Sequence, residues 1–254
     1  MMETVSDLPI PVAAAAALHA RQHGVAWGRS RWRKALPAYA HLLDELPRLL
    51  DRTTVRRACE GAEPHEALVV TMAWGFATTG YGPHRVQKML ATEGLHDRLA
   101  TVLRALDEQG ALEAYRLLSG ACRIVEMGPA FGTKFLFFHD ESALILDAIM
   151  GEWFQKSTGE DLRVTRWRPR SYERYLMQMS EWAAEASVAP ALLEERAFLL
   201  STSGGGSQWD QIGASSADGE GEVMAEQDNR AGKRGAKVRR EVRGPRHPGG
   251  GNSH

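Results

Sequence analysis

Apolar residues recur at steps of three and four along most of the chain before Ser203, the period of a helix face and not of a strand. From Ala38 to Leu50, Leu42, Leu43, Leu46 and Leu49 fall on one face, and Pro37 is tolerated near a helix start, so a helix is predicted over 38–50. Pro64 opens a second helix whose apolar residues continue through Leu68, Val69, Met72, Ala73 and Phe76. Thr79-Gly80-Tyr81-Gly82-Pro83 is a turn, with Pro83 in the first turn of a helix through Val86, Met89 and Leu90. Leu95–Leu106 and Ala111–Leu118 follow, divided by Gly110 as a C-terminal stop. Ser171–Val188 aligns Tyr172, Tyr175, Leu176, Met179 and Trp182 in one stripe of a closing helix. No stretch alternates apolar and polar residues over strand length, and no repeat of solenoid period is present. The pattern predicts an all-α domain with no sheet.

The densest apolar stretch runs from Ile124 to Trp153. A Gly128-Pro129 turn leads into an apolar helix carrying one cation, Lys134; after a polar break at His139-Asp140-Glu141-Ser142, a second apolar helix opens at one carboxylate, Asp147. Two readings fit. In one, the hairpin is plain core, with a snorkelling Lys134 and an N-capping Asp147. In the other, the helices fold back across the break and bring amine and carboxylate to one cleft, while the free N–H groups after the Gly-Pro turn face a phosphate.

The chain of 254 residues, 43% hydrophobic and 25% charged, suffices for one core plus a tail. The expected division is a helical domain over 1–203 and a disordered tail over 204–254, because Gly, Ser and charge replace the apolar periodicity there. The tail is acidic over 210–228 and basic over 229–254, leaving residues 1–209 close to neutral. Its basic end could meet phosphates without sequence preference, or have no role. Cys59 and Cys122 form no C-x-x-C pair, so no disulfide framework and no metal site is indicated, and both read as inert thiols of a reducing cytoplasm. The short apolar run Val12–Leu18 follows Glu3 and Asp7 and is too short for a bilayer. It is read as the start of a soluble helix, with no membrane partner.

Gly128-Pro129-Ala130-Phe131-Gly132-Thr133-Lys134-Phe135-Leu136 and Leu144-Ile145-Leu146-Asp147 together resemble two segments of a known family, the helix-hairpin-helix base-excision DNA glycosylases. The likeness is to their bacterial branch with the 8-oxoguanine glycosylase fold. Trp74-Gly75, Tyr81-Gly82-Pro83 and Tyr172…Tyr175-Leu176…Trp182-Ala183 extend it, so that it covers about Trp32 to Trp182. The resemblance implies an all-α, helix-hairpin-helix glycosylase-like domain with its hairpin and catalytic segment in 119–156. It also implies a monomeric, cofactor-free enzyme acting on double-stranded DNA.

By that resemblance Lys134 is the nucleophile that attacks the deoxyribose anomeric carbon, expels the base and holds the sugar as a Schiff base, which gives lyase activity besides base excision. Asp147 orients the nucleophile and stabilises positive charge on the sugar. Chemically, a desolvated amine is a usable nucleophile and a fixed carboxylate in a dry cleft stabilises an oxocarbenium-like state. Gly128, Pro129, Gly132 and Thr133 are the expected DNA contacts of the hairpin, and Arg166 and Arg168, in a run with Arg163, Trp167 and Arg170, are the expected phosphate contacts outside it. An extruded base needs stacking partners, for which Trp74, Phe131 and Trp153 are candidates.

The sequence departs from the family pattern at two points. Glu126 occupies the place of the hairpin's first glycine, so either the phosphate contact is weakened or Glu126 turns away; and the 13 residues from Lys134 to Asp147 are fewer than the family's usual interval. Glu126 also admits a second reading, a catalytically inactive helix-hairpin-helix module that binds DNA. The near-neutral charge of 1–209 admits a third, a helical protein–protein interaction domain.

Overall fold

The computed structural model describes residues 8–202; the first seven residues and the tail expected over 204–254 lie outside the described residues. The chain opens with α1 (Ile10–Ala17), α2 (Arg29–Ala35), α3 (Ala40–Glu45), α4 (Arg52–Cys59) and α5 (Pro64–Phe76). It continues with α6 (Gly82–Leu90), α7 (Leu95–Gln109), α8 (Ala111–Ser119), α9 (Pro129–His139), α10 (Ala148–Thr158), α11 (Pro169–Glu185) and α12 (Pro190–Thr202). No helix among them is long and apolar enough to cross a membrane.

The helix predicted over 38–50 is shorter than its leucines suggest. A 3-10 turn at Pro37–Tyr39 leads into α3, which stops at Glu45 because Pro47 lacks the amide that a further turn requires. Beyond it, β2 (Leu49–Leu50) pairs antiparallel with β1 (Val25–Ala26), a two-residue ladder that corrects the expectation of no sheet. Leu50 is buried, whereas Leu49 stands outward at 57% exposure. The sequence pattern predicts neither α4 nor α12, nor α2. The first is mostly Arg and Thr with an Asp51 cap on the Thr54 amide, and its apolar face is two residues, Val55 and Cys59.

Helix α5 lies at the centre, packed against α4, α6, α7 and α9, and is buried on every side from Ala67 to Trp74. That explains its all-round apolar sequence, since a helix with neighbours on one side only keeps a polar face. Glu63 and Glu66 form a capping box at its start. Helix α9 is buried in the same way from Gly132 to Phe138, between α4, α5 and α8. Helices α7 and α8 form a hairpin, and α12 closes the core against α1, α10 and α11.

Burial also fixes the state of several titratable groups. It pushes the Cys59 thiol up to about 11 and the Cys122 thiol upward, which keeps both protonated and unreactive. His139, at the last position of α9, packs edge-on to Phe135 at 4.8 Å, and burial lowers it to about 4. Because His139 titrates near 6.5 in the unfolded chain, the unfolded state binds more protons between about pH 6.5 and 4, and stability falls as pH drops through that window. We expect the wild type to lose about 1 kcal/mol between pH 7 and 5 from this residue, allowing for its partial exposure. His139→Phe should flatten that part of a urea-denaturation stability profile. An unchanged pH slope in the variant would assign the acid sensitivity elsewhere.

Candidate active site

The chain leaves α8 through a nine-residue connection, 120–128, that is closed by its own backbone and by Arg98, whose guanidinium donates to the Ala121 and Arg123 carbonyls at 3.1 and 3.2 Å. A turn from Ile124 to Met127 puts Glu126 at φ 63°, the left-handed region where glycine is the usual occupant. Its carboxylate points to α6, pairing with Lys88 at 2.9 Å and Arg85 at 3.4 Å, while Arg85 also donates to the Glu126 carbonyl at 2.8 Å. The acidic residue is thus turned away and matched by two cations. Gly128 then caps α9 with no side chain of its own, and nothing lies within 4 Å of the place where a β-carbon would stand. Pro129 takes the first helical position, where its missing amide costs nothing.

Two turns into α9, Lys134 meets Asp147. Lys134 Nζ donates to Asp147 Oδ2 at 2.8 Å, and the two residues are 4% and 2% exposed. Asp147 is the N-cap of α10, its Oδ1 accepting from the Met150 amide at 3.2 Å. One carboxylate therefore caps a helix with one oxygen and holds the amine with the other. Burial alone would raise the Asp147 carboxyl; the Lys134 ammonium, the Met150 amide and the Arg52 guanidinium outweigh it and hold the group below the usual carboxylate range.

The 13-residue interval works because the segment between the helices turns tightly at 140–143 and is then fastened up to Asp147. Thr133 is wholly buried; its hydroxyl accepts the Leu146 amide at 3.1 Å, one residue before Asp147. The Tyr172 hydroxyl donates to the Leu144 carbonyl and the Tyr175 hydroxyl to the Ile145 carbonyl, both at 3.0 Å. Burial pushes both phenols well above 10, so they remain donors. Three consecutive residues before Asp147 are thus pinned by hydroxyls from α9 and α11, which sets the carboxylate's position to within hydrogen-bond tolerance of the amine.

A second ion pair stands behind the first. Arg52, at the start of α4, makes a two-pronged pair with Glu194 of α12, which is wholly buried, and its Nε donates to Gln22 at 3.0 Å. Its guanidinium lies 4.9 Å from the centre of the Phe137 ring. Burial raises Glu194 despite that partner. Two cations and two anions therefore share one buried region, and sequence reading missed Arg52 and Glu194 because neither sits in a motif and 142 residues separate them. Arg52 also lines an open cleft of about 670 Å³ whose cations, Arg21, Arg52 and Arg56, already have partners in Glu195, Glu194 and Glu141.

The remaining candidates divide by position. Phe131 is half-buried, stacked on Phe76 with centroids 4.3 Å apart, and its ring lies 5.8 Å from Lys134 Nζ. Trp74 is 2% exposed and packs edge-on to Phe138 at 5.1 Å; Trp153 is 4% exposed and packs edge-on to Trp182 at 5.7 Å. Of these three, the structure brings Phe131 to the amine and places Trp153 in the layer between α10 and α11. Arg166 and Arg168 lie on the loop before α11, where with Arg116 and Arg170 they edge a surface hollow of about 630 Å³. Trp167, between them, packs on Tyr115 at 5.0 Å and fills the space above Gly132. Gly132 is thus covered by an indole and is not open to a ligand, and Thr133 faces the core; of the hairpin residues expected at DNA, Gly128 and Pro129 stand at the helix start.

A family model described as "Putative 8-oxoguanine DNA glycosylase OGG-like protein" matches residues 18–198, which supports a DNA glycosylase-type function and a DNA-binding surface. Searches of the curated proteins and of the solved structures return no match.

A β-carbon at position 132 would lie 2.4 Å from the Trp167 ring, a distance that demands a shift of the indole or of α9. We expect Gly132→Ala to destabilise the fold by about 1–3 kcal/mol, as overpacking does. Gly132→Ala combined with Trp167→Leu should recover part of that loss in a denaturant titration; equal instability of the single and double variants would show that Trp167 is not the obstacle.

Proposed function

This chain belongs to the OGG-like 8-oxoguanine DNA glycosylase family, and on that footing we propose that it excises a damaged or modified base from duplex DNA and then nicks the strand as a lyase. The observation that carries the reading is the contact of 2.8 Å between a buried amine and a buried carboxylate at the end of a hairpin. In the resting pair Lys134 is an ammonium, which has no lone pair to attack with. The reaction therefore begins with the proton leaving Nζ toward Asp147 or toward the departing base. The free amine attacks the anomeric carbon of the sugar, the glycosidic bond breaks, and the base leaves with the bonding electrons and takes up a proton. Asp147, ionised again, stabilises the positive charge on the sugar. The nitrogen then loses a proton and its lone pair expels the ring oxygen, which takes up a proton as the ring opens to an imine; loss of a proton from the adjacent carbon then expels the 3′ phosphate.

Docking of the duplex falls to the open start of α9 at Gly128 and to the arginines of the 163–170 loop, both of which offer donors to phosphate oxygens. Neutralisation of Glu126 by Arg85 and Lys88 removes the repulsion that its place in the hairpin implies. The half-buried Phe131 ring beside Lys134 is the surface on which an extruded nucleotide would first stack. A second reading, a DNA-binding module without catalysis, draws on the low exposure of the pair, 4% and 2%, which would suit a structural ion pair equally well.

Borohydride reduction on a duplex carrying an oxidised guanine, with an abasic duplex alongside, should cross-link the wild type. Lys134→Gln should not cross-link. That substitution leaves Asp147 buried without its partner, at a cost of about 3–5 kcal/mol. The double variant Lys134→Gln with Asp147→Asn removes both charges, should regain most of that stability, and should still fail to cross-link. Cross-linking by the double variant would remove Lys134 from the role of nucleophile. DNA binding by a wild type that releases no base from any lesion duplex would favour the module.

A further inference from the structure

We propose that the chain carries a site for a single first-row divalent cation, Zn²⁺ foremost, built from Glu63, His65 and His96 and separate from the Lys134–Asp147 pair. The three residues place one carboxylate oxygen and two imidazole nitrogens all within 4.8 Å of one another. Glu63 and His65 belong to the start of α5 and His96 to the first turn of α7, two helices that pack together. The donors therefore come from two elements whose spacing the core already fixes. The site is empty.

Several features separate this cluster from a chance meeting of surface side chains. Glu63 is held by the capping box, its carboxylate accepting from the Glu66 amide, so the ligand's backbone and side chain are ordered before any ion arrives. His65 is half-buried and fixed edge-on by Tyr39, with ring centroids 5.7 Å apart, and the His96 ring lies 6.3 Å from it. None of the three makes an ion pair among the described residues. Donor atoms around one tetrahedral ion stand about 3.4 Å apart, given ligand bonds of about 2.1 Å. Rotation of the exposed His96 side chain, with small adjustments of the other two, covers the difference. Two imidazoles and a carboxylate select Zn²⁺, Cu²⁺ or Ni²⁺ over Mg²⁺ and Ca²⁺, which take sets of oxygen ligands. A fourth position is left for water.

The dipoles of two helix starts oppose a cation here and moderate its affinity. Along α5, Glu63 lies about 18 Å from Gly75, at 1.5 Å per residue, and Gly75 is the α5 residue against Lys134. An ion at this distance cannot touch the reacting atoms. Its effect is to staple the starts of α5 and α7, which raises stability because the unfolded chain holds no such site.

The test uses the full, untagged chain with ZnCl₂ in competition with a chromophoric chelator at pH 7.5. We expect one saturable Zn²⁺ per chain, loss of at least tenfold in affinity in His65→Ala and in His96→Ala, and no change in His84→Ala, whose imidazole lies on α6. Zn²⁺ should raise the melting temperature of the wild type and not that of His96→Ala, and Mg²⁺ should raise neither. Absence of saturable uptake, or uptake that survives both His65→Ala and His96→Ala in variants with wild-type circular dichroism, overturns the proposal. Base release plays no part in these readouts, so the site stands or falls apart from the glycosylase reading.

Discussion

A buried amine facing a buried carboxylate is the constraint around which this fold is arranged. Neither Lys134 nor Asp147 would remain charged in an apolar interior alone, because desolvation of an isolated ion costs more than folding can offset. Each is tolerable because the other lies 2.8 Å away. Closeness of that order demands a fixed separation between α9 and α10, and the fixed separation explains the surrounding hydroxyls: Thr133, Tyr172 and Tyr175 bind three successive backbone groups just before Asp147. Removal of any of these hydroxyls would loosen a charge as well as a chain.

The all-helical class and the placement of the pair were legible in sequence for different reasons. Helical period shows at Pro64–Phe76 and at Pro169–Glu185 because each has a dense apolar stripe or run. Asp147 showed as a cap because it stands alone before apolar residues, which is where a capping carboxylate sits. Helix α4 was hidden since Arg and Thr dominate it and its burial depends on partners from elsewhere in the chain. The β1–β2 ladder was hidden since two residues carry no period, and the leucine stripe over 38–50 misled because Pro47 ends the helix before Leu49 joins it.

Roles within the site were less legible than residue types. Gly132 in a Gly-x-Lys run reads as a hairpin glycine open to phosphate, yet the structure covers it with the Trp167 indole, a contact across 35 positions that no local pattern carries. Thr133 reads as a polar residue beside the hairpin, and its hydroxyl bonds inward to Leu146. Glu126 reads as a defect in the turn, and its two cationic partners on α6 are visible only once α6 and the hairpin are side by side. Long-range pairing of this kind is a property of the packed chain.

Glu194 gives the last described helix an electrostatic role. The family match ends at residue 198, a few residues past this carboxylate, which is the partner of Arg52 and lies in the same buried region as Asp147. A boundary drawn before α12 would remove apolar surface from the core, as any lost helix does. It would also leave the Arg52 guanidinium without its carboxylate partner and change the sum of charge around the amine from balanced to positive. The last described helix therefore belongs to the site as counter-ion as well as cover.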